Sequence, residues 1–313
     1  MFILDPCTGT GNFIVNILKR IPPKKLPKAY ANNLFANEIM LLPYYIAALN
    51  VEHAYYELAG KYEPFEGLCF VDTLDLAEHH QNGFDFFTQK NTERVERQKR
   101  TPITVVIGNP PYNANQQNEN DNNKNRRYDV VDNRIRLTYA KDSSATLKNQ
   151  LYDPYVKFFR WATDRIGSRE GIVCLVSNNS FLEQHAFDGM RKHLARDFSA
   201  IYHIDLEGNV RHDPTLAGSK YNVFGIQVGV GITIAVKRRR ATKAGDIRFH
   251  RVPKLWTREE KLRWLITSLK VGSIHWNPLR GDSNGNWIDP QRKSDFDSFT
   301  PISSKEAKAN GKS

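Results

Sequence analysis

Short apolar runs that alternate with helix-length amphipathic stretches constrain this chain most, because a parallel sheet with crossover helices demands that alternation. Runs at 2–5, 33–37, 67–71, 103–107, 171–176, 200–206 and 226–236 read as strands. Helical patterns cover 12–20, 40–59, 153–166 and 181–196. In the helix from Asp153, Tyr155, Phe158, Phe159 and Ala162 fall on one side and would pack on the sheet. With 313 residues, the chain can bury a large core and has room for two domains. No run approaches the ~20 apolar residues of a membrane span. Met1–Asp5 is too short and too soon acidic for a signal peptide.

Two of the strand ends carry chemistry. Behind Ile103–Ile107 stands Asn109-Pro110-Pro111-Tyr112. Tyr112 can stack on a flat base, while the Asn109 side-chain oxygen and the Pro110 carbonyl accept both hydrogens of an exocyclic amine. Prolines suit that corner because they fix φ and give no N–H to a sheet ladder. Taken alone, these four residues also read as an ordinary strand-ending turn. The second segment is Phe2-Ile3-Leu4-Asp5-Pro6-Cys7-Thr8-Gly9-Thr10-Gly11-Asn12, a short buried strand followed by a glycine loop and a helix start. Glycines at 9 and 11 let backbone pass close to a nucleotide-like ligand. The third glycine of a dinucleotide fingerprint is replaced by Ile14, and no triphosphate loop is present. An oxidoreductase using a dinucleotide is therefore disfavoured.

The net charge of +11 favours a polyanionic partner. Basic residues gather at Arg94, Arg97, Lys99 and Arg100, at Arg126, Arg127, Arg134 and Arg136, and at Lys237–Arg240. Several of these flank the proline segment, where phosphate contacts would be needed. Cys7, Cys69 and Cys174 lie in or beside apolar strands, which fits reduced thiols in the cytoplasm. No Cys/His spacing suits zinc, and His79-His80 reads as solvated, so no metal is expected.

Asp5-Pro6-x-Thr8-Gly9-Thr10-Gly11 with Asn109-Pro110-Pro111-Tyr112 resembles the S-adenosylmethionine-dependent DNA adenine-N6 methyltransferases. More narrowly, these motifs, Leu151-Tyr152-Asp153-Pro154-Tyr155, Phe159-Arg160-Trp161-Ala162 and Asn222–Gln227 resemble the single-chain Type ISP restriction-modification enzymes. The resemblance runs from residue 1 to about 300. It implies a Rossmann-like methyltransferase fold, a mostly parallel sheet with 225–236 as an antiparallel edge strand. It also implies S-adenosylmethionine as cofactor and duplex DNA as partner. Helicase and nuclease domains are expected upstream in a parent enzyme, with no membrane association.

On that resemblance, Thr8, Gly9 and Gly11 would cradle the methionine end of the cofactor, with Asp5 near its ammonium. The alternative role for Asp5 is to cap the following helix. Glu38 would accept bonds from the ribose hydroxyls, or serve as a carboxylate at a helix N-terminus. Asp72 would accept from the cofactor's adenine amine, with Thr73 and Leu74 completing that end and Tyr155 covering the ring, unless Tyr155 is core. Asp75 is a rival to Asp72. Tyr112 and Phe224 would sandwich the target adenine, unless Phe224 is core.

The Asn-rich stretch opening 113–150 contains no core-forming residues and reads as a mobile lid or a disordered insertion. Residues 1–240 would form the catalytic domain, lacking the helical segment that precedes the first strand in relatives. Residues 241–313 would be a linker and the beginning of an incomplete target-recognition region. The alternatives are an NPPY-type methyltransferase for RNA or protein glutamine, and an inactive DNA-binding fragment.

Overall fold

The computed structural model describes residues 1–77, 89–111, 126–209, 219–239, 245–268, 270–282 and 284–288. Among them, nine strands form one sheet: β1 (Ile3–Asp5), β2 (Leu34–Glu38), β3 (Leu68–Phe70), β4 (Val105–Gly108), β5 (Gly171–Asn178), β6 (Ala200–Asp205), β7 (Val230–Lys237), β8 (Asp246–Arg251) and β9 (Asn277–Leu279). Their order is β3-β2-β1-β4-β5-β7-β6-β8-β9. The first five strands run parallel, as does the β6–β8 pair. The connecting helices are α1 (Asn12–Leu18), α2 (Leu26–Asn32), α3 (Leu41–Ala59), α4 (Gln89–Arg100), α5 (Asp129–Ile135), α6 (Pro154–Ile166), α7 (Ser180–Glu183), α8 (Asp188–Asp197) and α9 (Arg258–Ser268).

Strand side chains alternate between two cores, as a sheet covered on both faces requires. Leu4, Phe35, Val106, Val173 and Leu175 join Val131, Tyr155, Phe159 and Leu194 on one face. Ile3, Leu34 and Ala36 join Ile14, Leu18, Ala47 and Val51 on the other. At the start of α6, Pro154 takes the first turn and the Asp153 carboxylate accepts the Tyr155 amide.

Three expectations change. The strand expected over 225–236 at the edge is β7, antiparallel but enclosed by β5 and β6; the antiparallel edge is β9. The boundary expected at residue 240 falls inside the sheet, since β8 pairs with β6 over its whole length and Ile247, Phe249 and Trp287 are core residues. The proposed lid is folded from residue 126 onward: Tyr128, Val131, Ile135 and Tyr139 are buried against α6. His79, His80 and the stretch 112–125 lie outside the described residues.

Candidate active site

The sheet grows outward from β1 to β3 and then restarts on the other side of β1 with β4. In an open α/β sheet such a reversal leaves a crevice at the carboxyl ends of the strands. Both motif segments leave the sheet there, one from β1 and one from β4. A Cβ on Gly108 would meet Asp5 Oδ1 at 3.0 Å and Cys7 Sγ at 3.3 Å. The Asn109 backbone amide stands near the Cys7 thiol. Pro111 shares a pocket wall with Pro6 and Cys7. The two segments therefore stand side by side.

The pocket between them measures about 120 Å³ and is also lined by Glu38, Asp72, Leu74, Arg126, Tyr128, Lys157 and Phe158. At the Pro6–Cys7 end, Asp5 is fully buried next to the lining and not part of it; its Oδ1 accepts the Cys7 amide at 3.2 Å and its Oδ2 has no hydrogen-bond partner. Burial pushes its carboxyl up to about 7, with the Cys7 amide and Thr8 hydroxyl opposing and the Glu38 charge adding. Asp5 does not cap α1, whose N-cap is Gly11, with no side-chain cap. The glycines divide the work. A Cβ on Gly9 would meet nothing within 4 Å, whereas one on Gly11 would meet Val51 and Ala47 of α3 at 3.1–3.3 Å. Gly9 thus faces open space and Gly11 lets α1 approach α3.

Glu38 is buried, with Oε2 accepting the Gly9 amide and Oε1 the Met40 amide, each at 2.8 Å. It ties the glycine loop to the start of α3 while lining the pocket. Thr73 is scaffolding: its hydroxyl donates to the Pro6 carbonyl at 2.5 Å and accepts from Asn37 at 3.0 Å. Asn37 in turn exchanges two hydrogen bonds with Gln98 of α4. Sequence reasoning missed both of these amides. Asn37 sits directly before Glu38, a signal that a second polar residue ends that strand.

At the opposite end, Asp72 Oδ1 accepts the Leu74 amide at 3.0 Å. Its Oδ2 accepts from the Tyr128 hydroxyl at 2.8 Å and Arg126 at 3.1 Å. Arg126 also pairs with Asp75. Tyr155 does not reach the pocket; it is buried beside Phe181 and Phe187. Pro154 and Phe158, one turn apart on α6, line the wall instead. Phe224 is 48% exposed, so it is not a core residue. Asn109 and Pro111 are exposed and Pro110 is buried; Tyr112 lies outside the described residues. Arginines expected to meet phosphates are engaged internally: Arg94 with Glu66, Arg134 with Asp164 and Arg126 as above.

Among the described residues, no three His, Cys, Asp or Glu side chains cluster to hold a metal ion, and no helix is long and apolar enough to cross a membrane. Glu38 and Asp72 on the pocket lining, with the unpartnered carboxylate oxygen of Asp5 buried beside Pro6 and Cys7, suit a ligand that brings hydroxyl, amine or ammonium donors.

The fold is that of the Rossmann-like methyltransferases, a mostly parallel sheet that here bears a glycine loop and an Asn-Pro-Pro corner at its switch point. A family described as Eco57I restriction-modification methylase matches residues 32–210, and the chain belongs to it. Among solved structures, the DrdV–DNA complex is 42% identical with a TM-score of 0.87, covering 98% of this chain and 30% of that one. The ATP-dependent Type ISP restriction-modification enzyme LlaBIII bound to DNA is 35% identical with a TM-score of 0.89, over 98% of this chain and 22% of that one. A nuclease-deletion mutant of the Type ISP enzyme LlaGI with a DNA substrate mimic is 35% identical with a TM-score of 0.88, over 97% and 26%. The chain thus spans less than a third of the length of each. Comparison with curated proteins gave no match.

Proposed function

We propose that this chain transfers a methyl group from S-adenosylmethionine to N6 of an adenine flipped out of duplex DNA, as the modification part of a cytoplasmic restriction-modification enzyme. The carrying observation is the adjacency of the Asp5–Gly11 loop and Asn109-Pro110-Pro111 at the tips of β1 and β4. The DNA in the DrdV, LlaBIII and LlaGI structures supports duplex DNA as substrate. The ATP dependence of LlaBIII and the nuclease of LlaGI support motor and nuclease domains elsewhere in a parent polypeptide.

When bound, S-adenosylmethionine supplies an electrophilic methyl group. Asp5 would hold its ammonium through the unpartnered Oδ2, Gly9 would leave room beside Thr8, and Glu38 would face the ribose. Asp72, with Thr73 behind it and Leu74 beside the ring, would take the adenine end. The Asn109 oxygen and the Pro110 carbonyl would accept the two N6 hydrogens of the target, leaving the nitrogen lone pair less delocalised and able to take the methyl group as the sulfonium S–C bond breaks and S-adenosylhomocysteine leaves. Tyr112 and Phe224 would hold the flipped ring from its two faces. The nitrogen loses a proton to water only after it has become cationic, so no tuned general base is needed. Positioning and electrostatics carry the rate.

Asn109→Ala should abolish methyl transfer to duplex DNA while cofactor affinity stays within several-fold, read by radiolabelled transfer and calorimetry. Methylation near wild-type level by that variant would reject the amine clamp. Transfer by the wild-type chain to RNA or a glutamine peptide but not to DNA would redirect the substrate.

A further inference from the structure

The purine end of the pocket is closed by the chain's own cation. Arg126 reaches Asp72 at 3.1 Å and Asp75 at 2.5 Å, so one guanidinium spans both carboxylates. Its backbone is fixed from below: Lys157, 4% exposed, donates to the Arg126 carbonyl at 3.0 Å and pairs with Asp132 at 2.7 Å. Tyr128 lies between the two cations, its ring 5.2 Å from Arg126 and 5.1 Å from Lys157, and its hydroxyl holds Asp72. The anchor is buried, but the Arg126 side chain is 43% exposed. Rotation of that side chain alone would vacate the acidic pair and leave the Tyr128–Asp72 and Lys157–Asp132 contacts in place.

We propose that Arg126 is a gatekeeper of the nucleoside subsite, occupying Asp72 and Asp75 in competition with the exocyclic amine of a bound adenosyl group. This rests on the cofactor reading above. Asp72 Oδ1 already accepts the Leu74 amide and Oδ2 accepts two donors, so an incoming amine gains most where Arg126 has left. A ligand that binds only the open arrangement has its apparent affinity reduced by the fraction of molecules that are open. Arg126 thereby sets cofactor affinity without touching the reacting atoms, and a polyanion able to draw the guanidinium outward would raise that affinity.

The test is titration calorimetry of the whole chain with S-adenosylhomocysteine, adenosine and methionine, for wild type, Arg126→Gln and the neighbouring exposed Arg127→Gln. Melting curves establish that all three are folded. Arg126→Gln should bind S-adenosylhomocysteine and adenosine about three- to tenfold more tightly than wild type, with methionine unaffected. Arg127→Gln should match wild type. Unchanged or weaker nucleoside binding by Arg126→Gln, in a wild type that does bind, would overturn the gatekeeper and leave the cofactor reading standing. Absence of binding by every variant would overturn the cofactor reading itself, and the gatekeeper with it.

Discussion

Asp5 sets stability against function at a single position. Its carboxyl is raised by burial to about 7 in the fold, whereas in the unfolded chain it returns to the ordinary carboxylate value. Below the unfolded value both states are neutral and the group costs nothing. As pH rises from about 4 to 7 the unfolded chain ionises first, so stability falls, by on the order of 4 kcal/mol at completion. Above 7 the cost is constant. Asp5→Asn should therefore raise the melting temperature at pH 7.5 and flatten its pH dependence between 4 and 7. The same change should remove binding of a cationic ligand, because only the ionised carboxylate offers Oδ2 to an ammonium. In the wild type, affinity for S-adenosylmethionine should decline as pH drops below 7, which calorimetry at several pH values would read. A variant destabilised at pH 7.5 would contradict the burial argument. One that still bound cofactor would contradict the ammonium role. The motif made Asp5 legible in the sequence, but its missing partner was not, since burial depends on Gly108 closing over it from another strand.

Among the elements, the glycine loop separates into a ligand-facing and a packing-facing half, and substitution should tell them apart. Gly9 and Gly11 both have positive φ, 56° and 88°, so alanine costs about 1 kcal/mol at either. Gly11→Ala adds a clash with α3 backbone and should lose about 1–3 kcal/mol more in urea unfolding. Gly9→Ala meets no protein atom, so its main effect should be weaker cofactor binding at near-native stability. Equal stability losses would erase the distinction. Strands β1 to β7 were readable as apolar runs, whereas β8 (Asp246–Arg251) and β9 (Asn277–Leu279), largely polar or exposed, were not. Helix α4 was not either, because it docks mainly through polar groups. Asn91 brackets the Phe70 amide and carbonyl at 2.9 and 3.0 Å, Arg94 pairs with Glu66, and Gln98 meets Asn37; Val95 is its one buried apolar residue. Hydrophobic periodicity cannot report such a helix. Tyr128 was hidden for a related reason: the Asn-rich run before it masks a segment whose apolar residues, Val131, Ile135 and Tyr139, follow helical spacing.

For the whole molecule, the question is where the folded unit ends, and β8 and β9 continue the sheet beyond residue 240. Strand β8 covers the open side of β6, and Phe249 stacks on His203 with ring centroids 6.1 Å apart. Trp287 packs edge-on to Phe181 at 6.3 Å. Arg191, fully buried, donates to the Gly285 carbonyl at 2.7 Å and to Asn286 at 3.3 Å, besides the carbonyls of Phe181 and Gln184. A chain ending at 240 would lose four core side chains, Ile247, Phe249, Val252 and Trp287, each worth about 2 kcal/mol. It would also expose an unpaired strand edge and leave a buried guanidinium short of acceptors, at about 3 kcal/mol or more. The total rivals the roughly 5–15 kcal/mol that holds a domain together. Residues 1–288 should accordingly unfold in one cooperative thermal transition followed by circular dichroism. Residues 1–240 should melt far lower or without a transition, with amide exchange in β6 accelerated. Coincident melting curves for the two chains would return the boundary to residue 240 and make the later strands a detachable linker.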